Sequence, residues 1–395
     1  MSELSYIDKL LDGVEVKRLT LGDIGEFIRG NGIQKKDLVE AGFPAVHYGQ
    51  IFTKYGFSAV QSFTFISDEL AKKSRIAQKN DLLIATTSEN DEDVLKSIAW
   101  LGEKVAISGD MMLFRHTQNV RYLAYYFQTE DFQKQKIKFI TGAKVRRVSR
   151  DSLTKMTISL PSLKVQTEIV RILDAFAELT AELTAELVAR KQQYTYYRKQ
   201  LLTFNDDEVE WKSLGELATL RRGRVMSKSY LVDNVGSYPV YSSQTANNGE
   251  IGSIGTFDFE GEYVNWTTDG ANAGTVFYRT GKFSITNVSG LIKINDALRL
   301  NYKYLFYWLS IEAKKHVNSG MGNPKLMSNQ VAKILIPIPS LSKQKDIVAI
   351  LDKLEALSTS LTEGLPREIE LRQQQYEYYR ELLLSFPKVE VANHD

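Results

Sequence analysis

One stretch of this chain occurs twice, and the duplication limits the possible folds more than any other feature. Pro161-Ser162-Leu163, Gln166, Ile169-Val170 and Ile172-Leu173-Asp174 return 178 positions later as Pro339-Ser340-Leu341, Gln344, Ile347-Val348 and Ile350-Leu351-Asp352. Gln192-Gln193-Tyr194, Tyr196-Tyr197-Arg198 and Leu201-Leu202 return 182 positions later as Gln374-Gln375-Tyr376, Tyr378-Tyr379-Arg380 and Leu382-Leu383. The second copy has therefore gained four residues between its halves. A repeat of this kind sets architecture before any local motif does.

The apolar residues of the first copy fall at Ile169, Ile172, Phe176, Leu179, Leu183, Leu187, Tyr194, Tyr197 and Leu201. Steps of three, four and seven describe one stripe of a long helix with a coiled-coil seam. The four added residues of the second copy are about one turn, so its stripe keeps its face. Each helix would run roughly 55–60 Å. Thr-Ala-Glu-Leu stands twice in tandem through Thr180, Glu182, Leu183, Thr184, Glu186 and Leu187. Each unit adds about 6 Å without turning the stripe, as a spacer would. The second copy carries Gly364-Leu365-Pro366 there, and Pro366 should kink or divide that helix.

Around the repeats the chain divides into residues 1–160, an N-terminal repeat fragment and first globular domain; 161–207, a central helix; 208–338, a second globular domain; and 339–395, a distal helix with its tail. Tyr6, Leu10-Leu11 and Val14 to Lys17 look like a displaced piece of the repeat, taking up the pattern where the C-terminus drops it. That predicts an N-terminus packed beside the end of the distal helix, in a circular arrangement of approximate two-fold symmetry. The globular domains open alike, Leu21-Gly22-Asp23-Ile24 against Leu214-Gly215-Glu216-Leu217, with Arg29-Gly30 matching Arg222-Gly223. They close alike too, with aromatic helices at Tyr122–Tyr126 and Tyr304–Trp308, and with Gly142 and Gly320 each standing 19 positions before its proline. Short strands and Gly/Asn turns between these points predict β-rich mixed domains, so the fold class is α+β. One frame around two different interiors suggests a shared task with two different targets.

At 395 residues the chain has room for two or more domains. No apolar run approaches the ~20 residues of a membrane span, no signal peptide stands at Met1, and there is no Cys for disulfides or thiolate metal sites. A cytoplasmic protein without membrane contact is the expectation. His47, His116, His316 and His394 are scattered and form no zinc set, so no metal is expected. No phosphate-binding Gly-rich loop or adenine methyltransferase motif is present. Thr86 and Thr267 lie in Thr-rich loops after apolar strands and are conceivable nucleophiles, but no base accompanies them.

The net charge of +2 leaves charge placement to decide about nucleic acid. Lys144, Arg146, Arg147 and Arg150 have no acid among residues 141–150, and Arg221, Arg222, Arg224 and Lys228 have none from 218 to 232. With Arg29 and Lys325, they fit phosphate contacts on DNA. Gln34, Lys35, His47, Tyr48, Gln50, Thr86 and Thr87 in the first domain could meet base edges. Ser243, Gln244, Asn247 and Thr267 could do so in the second. A solvated surface is the alternative for any one of them.

Two unlike domains alternating with two repeated helices, whose starts read Ile158-Ser159-Leu160-Pro161 and Ile336-Pro337-Ile338-Pro339, resemble the specificity subunit of type I restriction-modification systems. The tandem Thr-Ala-Glu-Leu and the Tyr-Tyr-Arg endings are similar to the type IC subfamily. The resemblance covers nearly the whole chain. It implies two target-recognition domains, each reading one half of a bipartite, asymmetric site in double-stranded DNA. It implies two long antiparallel helices that set the unread gap. Two modification subunits would carry S-adenosylmethionine and adenine methylation, and restriction subunits would add ATP- and Mg-dependent translocation and cleavage. The chain itself would be non-catalytic and hold no cofactor. A coiled-coil protein–protein adaptor without DNA readout is the other reading.

Overall fold

The computed structural model describes Leu10, Gly13 and residues 15–319, 322–359 and 364–386. They fall into two compact units, one within Met1–Leu183 and Ile369–Asp395, the other within Thr184–Glu368. Five helices carry the repeated frame: α1 (Val120–Tyr126), α2 (Leu163–Leu201), α3 (Tyr302–Glu312), α4 (Leu341–Thr359) and α5 (Leu365–Leu384). At 39 residues, α2 is about 58 Å long. It gives its first half to unit one and its second half to unit two. No helix among the described residues is long and apolar enough to cross a membrane.

Unit one holds a five-stranded sheet in the spatial order 25–29, 111–116, 82–85, 97–100, 58–59. A four-stranded sheet runs 64–66, 43–46, 105–107, 75–77. Unit two holds one six-stranded sheet, ordered 218–222, 289–294, 259–267, 276–285, 235–241, 250–254. The domains are thus β-rich and mixed, as the turn spacing predicts. In each unit the opening strand pairs antiparallel with the strand that leads into the repeat: Lys17 with Leu160, and Glu210 with Ile338.

The shared opening motif has a local cause. Thr20 and Ser213 each start a one-turn helix, with their backbone N–H donating to Asp23 (3.0 Å) and Glu216 (2.9 Å) three residues on. Leu21 and Leu214 then donate to the carbonyls of Met156 and Ile334, 178 positions apart. The shared Arg-Gly has a steric cause. A Cβ on Gly30 would lie 2.0 Å from the Ser108 carbonyl oxygen, and one on Gly223 2.1 Å from that of Ile285. Both obstacles are backbone and cannot swing away. Gly30→Ala and Gly223→Ala should each destabilise by about 1–3 kcal/mol through overpacking. Denaturant unfolding checks this, and wild-type midpoints for both variants would refute it.

In unit one the start of α2 packs with the end of α5: Leu173 and Leu383 share a core, and Phe176 stacks on Tyr379 with ring centroids 5.1 Å apart. In unit two Leu201 and Leu202, at the end of α2, pack with Ile347 and Leu351 of α4. The two repeats therefore run antiparallel. The stripe differs in detail from the sequence expectation. Leu179 and Tyr197 are exposed, and half-buried Thr180 and Arg190 join the expected Leu183 and Leu187 along the seam. A spacing of three and four residues selects these positions, and polarity does not override it. The seam thus holds an arginine in each repeat. Arg190 donates to Gln193 and Arg372 to Gln375, both at 2.9 Å, and the two pairs lie 182 positions apart. The spacer residues Glu182, Thr184 and Glu186 face solvent, with Glu186 paired to Arg190 at 2.9 Å.

The distal repeat is divided, as Pro366 suggests, but Pro366 is not at the break. It occupies the first turn of α5, where a missing N–H costs nothing, whereas α4 ends at Thr359. Gly364 before it has φ +88°. The N-terminal repeat fragment lies mostly outside the described residues, as do Gly320 and His394; Leu10 packs against the core that contains Leu383 and Leu384.

Candidate nucleic-acid interface

In unit one the candidate residues converge on a turn that the sequence did not single out, Ser108-Gly109-Asp110. The Arg29 Nε donates to the Gly109 carbonyl (3.0 Å), the Tyr48 N–H to Ser108 Oγ (3.0 Å), and the Thr86 hydroxyl to the Asp110 carbonyl (3.1 Å). Thr87 donates to the Asp110 carboxylate at 3.1 Å. Arg146–Arg147 forms a two-residue ribbon with Thr87–Ser88, which brings the basic segment to the same place. Burial, the largest influence, pulls His47 below the ordinary imidazole range; the Asp110 charge opposes this and Lys35 adds to it. His47 is thus neutral at physiological pH and reads as a hydrogen-bonding group, not a cation.

Unit two is built around the same turn, 178 positions later: Thr286-Asn287-Val288. The Arg222 Nε donates to the Asn287 carbonyl (3.0 Å), Thr286 Oγ1 to Ser242 Oγ (2.9 Å), and the Thr268 N–H to the Val288 carbonyl (3.0 Å). Lys325 matches Arg147 and bridges Asp269 as Arg147 pairs with Thr87. The usable sequence signal was an isoleucine, a hydroxyl residue and a turn residue at fixed offset: Ile107-Ser108-Gly109 and Ile285-Thr286-Asn287.

Several candidates are spent inside the protein and do not face a ligand. Gln50 is buried; its oxygen accepts from the His47 N–H (3.0 Å) and its nitrogen donates to Thr64 (3.1 Å). It starts a helix and reads no base edge. Thr86, Thr87 and Thr267 are buried as well. The Thr267 hydroxyl bonds to the Asn272 carbonyl and accepts from the Thr275 N–H (3.0 Å). With the Thr86 and Thr267 hydroxyls donating to backbone carbonyls, neither faces a general base, and the nucleophile reading of these loops has no geometric support. Arg146 pairs with Asp91 (2.8 Å), Arg224 with Asp258 (3.0 Å) and, more loosely, Arg150 with Glu26 (3.8 Å) and Arg222 with Asp269 (3.5 Å).

Exposed, with no ion pair among the described residues, are Lys35, Lys144, Arg147, Arg221, Lys228 and Lys325. Lys144 sits at the tip of a hairpin closed by Thr141 and Arg147. Exposed Gln34 precedes a short helical turn at Lys35–Asp37. In unit two Lys228, Ser242, Gln244 and Asn247 line one open groove of about 780 Å³. Next to them, half-buried Ser243 accepts from Asn272 through its carbonyl (3.4 Å). Cations beside amides and hydroxyls are the chemistry of phosphate and base-edge contacts.

Two mixed, β-rich units sharing a duplicated helical frame define the class of specificity-subunit folds. The family model for the type I restriction modification DNA specificity domain matches residues 13–190 and 206–371, so the chain belongs to that family. It is 33% identical over its full length to the full-length specificity subunit of the Escherichia coli type I restriction enzyme EcoR124I/EcoR124II. It is 40% identical to a putative type I specificity subunit of Mycoplasma pneumoniae, over 59% of this chain and 94% of that one. Among solved structures, the type I S subunit from M. genitalium superimposes with TM-score 0.57 at 14% identity, covering 95% of this chain and 97% of that one. A chain from a study of type I complex assembly and conformational transition gives TM-score 0.62 at 16% identity, covering 95% and 98%. The protein is accordingly a specificity subunit, the non-catalytic component that supplies DNA sequence recognition to a type I system.

Proposed function

We propose that each unit reads one half of a bipartite, asymmetric duplex site, and that the paired helices set the unread gap between the halves. The observation that carries this reading is the duplicated turn, Ser108–Asp110 and Thr286–Val288. In both units an arginine donates to its middle carbonyl, a threonine N–H to its last carbonyl, and a basic residue pairs alongside, while the amides beside it differ. In this reading Lys144, Arg147 and Lys325 meet phosphates, and Gln34, Gln244 and Asn247 meet base edges. The repeated frame seats two modification subunits. They bring S-adenosylmethionine and methylate adenine, while restriction subunits bring ATP- and Mg-dependent translocation and cleavage. The tandem Thr-Ala-Glu-Leu favours the type IC subfamily, and the cytoplasm is the compartment.

Salt dependence tests the contacts. A complex neutralising several phosphates should lose about 10³–10⁵ in affinity between about 50 and 200 mM salt. Arg147→Ala and Lys325→Ala should each weaken all sequences alike and lower the slope of log K against log salt by about 1. An unchanged slope removes those residues from the interface. No specific DNA binding by the assembled complex would return the adaptor reading.

A further inference from the structure

The loop from Ser242 to Gly249 carries three of the candidate base-edge residues and has an unusual foundation. It is closed by the Ser242 N–H donating to the Gly249 carbonyl (2.9 Å). At its tip, exposed Asn247 and Asn248 both adopt left-handed backbone conformations, with φ +47° and +51°. Two successive non-glycine residues in that region are costly unless the surroundings hold them.

The residue beneath them is Arg279, on the strand Val276–Ile285, with only 3% of its surface exposed. Its guanidinium carbon lies 3.6 Å from the Tyr241 ring centroid and 4.4 Å from that of Phe277. One terminal nitrogen donates to the Asn248 carbonyl at 2.7 Å, while the buried Nε has no partner. No carboxylate pairs with it among the described residues. Burying a guanidinium without a counter-ion is expensive, and here burial holds its pKa down to about 10. The aromatic faces offset part of that cost. The hydrogen bond goes to the carbonyl of a left-handed residue. Gly249 lacks the Cβ that would stand 3.1 Å from the same guanidinium. Unit one builds the matching segment differently, through the buried Gln50 amide on the His47 N–H.

We propose that Arg279 is a positioning residue for sequence reading by unit two: it braces the Asn247-Asn248 tip from below, so that the exposed amides meet base edges in one geometry. This rests on the reading that each unit reads its own bases. Arg279 itself is too enclosed to touch a duplex.

The test uses the complex assembled with its modification subunits, and maps methylation on a randomised duplex library, with thermal unfolding recorded in parallel. Arg279→Met should relax base preference in one half of the site by about tenfold or more per position, leaving the other half as in the native complex. Arg279→Lys, which can still donate to Asn248 but cannot stack as a plane, should fall between. Asn248→Gly leaves the core intact, frees the tip and should relax the same positions. The brace is overturned if Asn248→Gly keeps native preferences while Arg279→Met lowers methylation of all sequences equally. A native complex that methylates without sequence preference would overturn the functional reading itself, a separate outcome.

Discussion

Deleting Thr184–Leu187, one Thr-Ala-Glu-Leu unit, is expected to shorten the unread gap by one or two base pairs while both half-sites stay unchanged. The four residues contribute about 6 Å of helix, against ~3.4 Å per base pair. α2 is continuous from Leu163 to Leu201, so the loss is transmitted along one rod. The deleted unit makes little core: Thr184 and Glu186 are exposed and only Leu187 lies half-buried on the seam. Removing four residues from a three-four seam is a local phase shift, equivalent to inserting three, which such helices absorb by overwinding locally. The frame contacts made by Gln166 and by Gln344, each within its own unit, lie outside the deletion. The measurement is methylation mapping of the complex with and without the deletion. Native sites should go unmethylated and a shorter-gap class should replace them. Altered half-site bases with the native gap would refute the spacer reading.

How far the sequence led depends on whether a residue's role repeats. Gln166 and Gln344, Asp174 and Asp352, and Arg29 and Arg222 stood out because each recurs at fixed offset, and each pair makes matching contacts. Asp174 takes Arg121 and Tyr125; Asp352 takes Lys303 and Tyr307. Orientation was not legible. A Thr-rich loop after an apolar strand reads the same whether its hydroxyls face a duplex or, as at Thr86 and Thr267, bond to carbonyls inside. Gln50 illustrates a second ambiguity: an amide three residues past a helix start serves the cap as readily as a base. Leu179 and Tyr197 fell off the seam because a three-four spacing, not apolarity, selects the buried face. Arg279 gave no signal at all, since a lone arginine in a strand reads as solvated until Tyr241 and Phe277 are seen against its faces.

Gln344→Leu should be among the most destabilising single substitutions in unit two, and Gln166→Leu its counterpart in unit one. Both glutamines are fully buried. The Gln344 oxygen accepts from the Asn301 N–H (2.8 Å), and its nitrogen donates to the Arg299 and Pro339 carbonyls (2.9 Å each). Asn301 in turn caps α3 by accepting from the Tyr304 N–H (3.0 Å). One amide thus ties the aromatic helix of the domain to the first turn of the repeat. Gln166 does the same between Asn119, Pro161 and Gln118, at 3.1, 2.9 and 2.9 Å. Leucine has similar bulk, so the loss is polar: one N–H and two carbonyls are left unpaired in an enclosed site. At about 1–3 kcal/mol per orphaned group, with some relaxation, the cost should be about 3–5 kcal/mol. For a unit of this size that corresponds to a fall in Tm of about 6–20 °C. Gln344→Glu separates hydrogen bonding from packing. Its ionised carboxylate can accept from Asn301 but donate to neither carbonyl, so at neutral pH it should cost at least as much. Burial raises the carboxyl pKa in the folded state. The penalty should therefore shrink as pH falls through that raised value, because protonation restores a donor. Thermal unfolding across pH measures both effects. A Gln344→Leu variant within 2 °C of wild type would show that the shared amide is incidental to the frame, since even 1 kcal/mol should move Tm by about 2–4 °C.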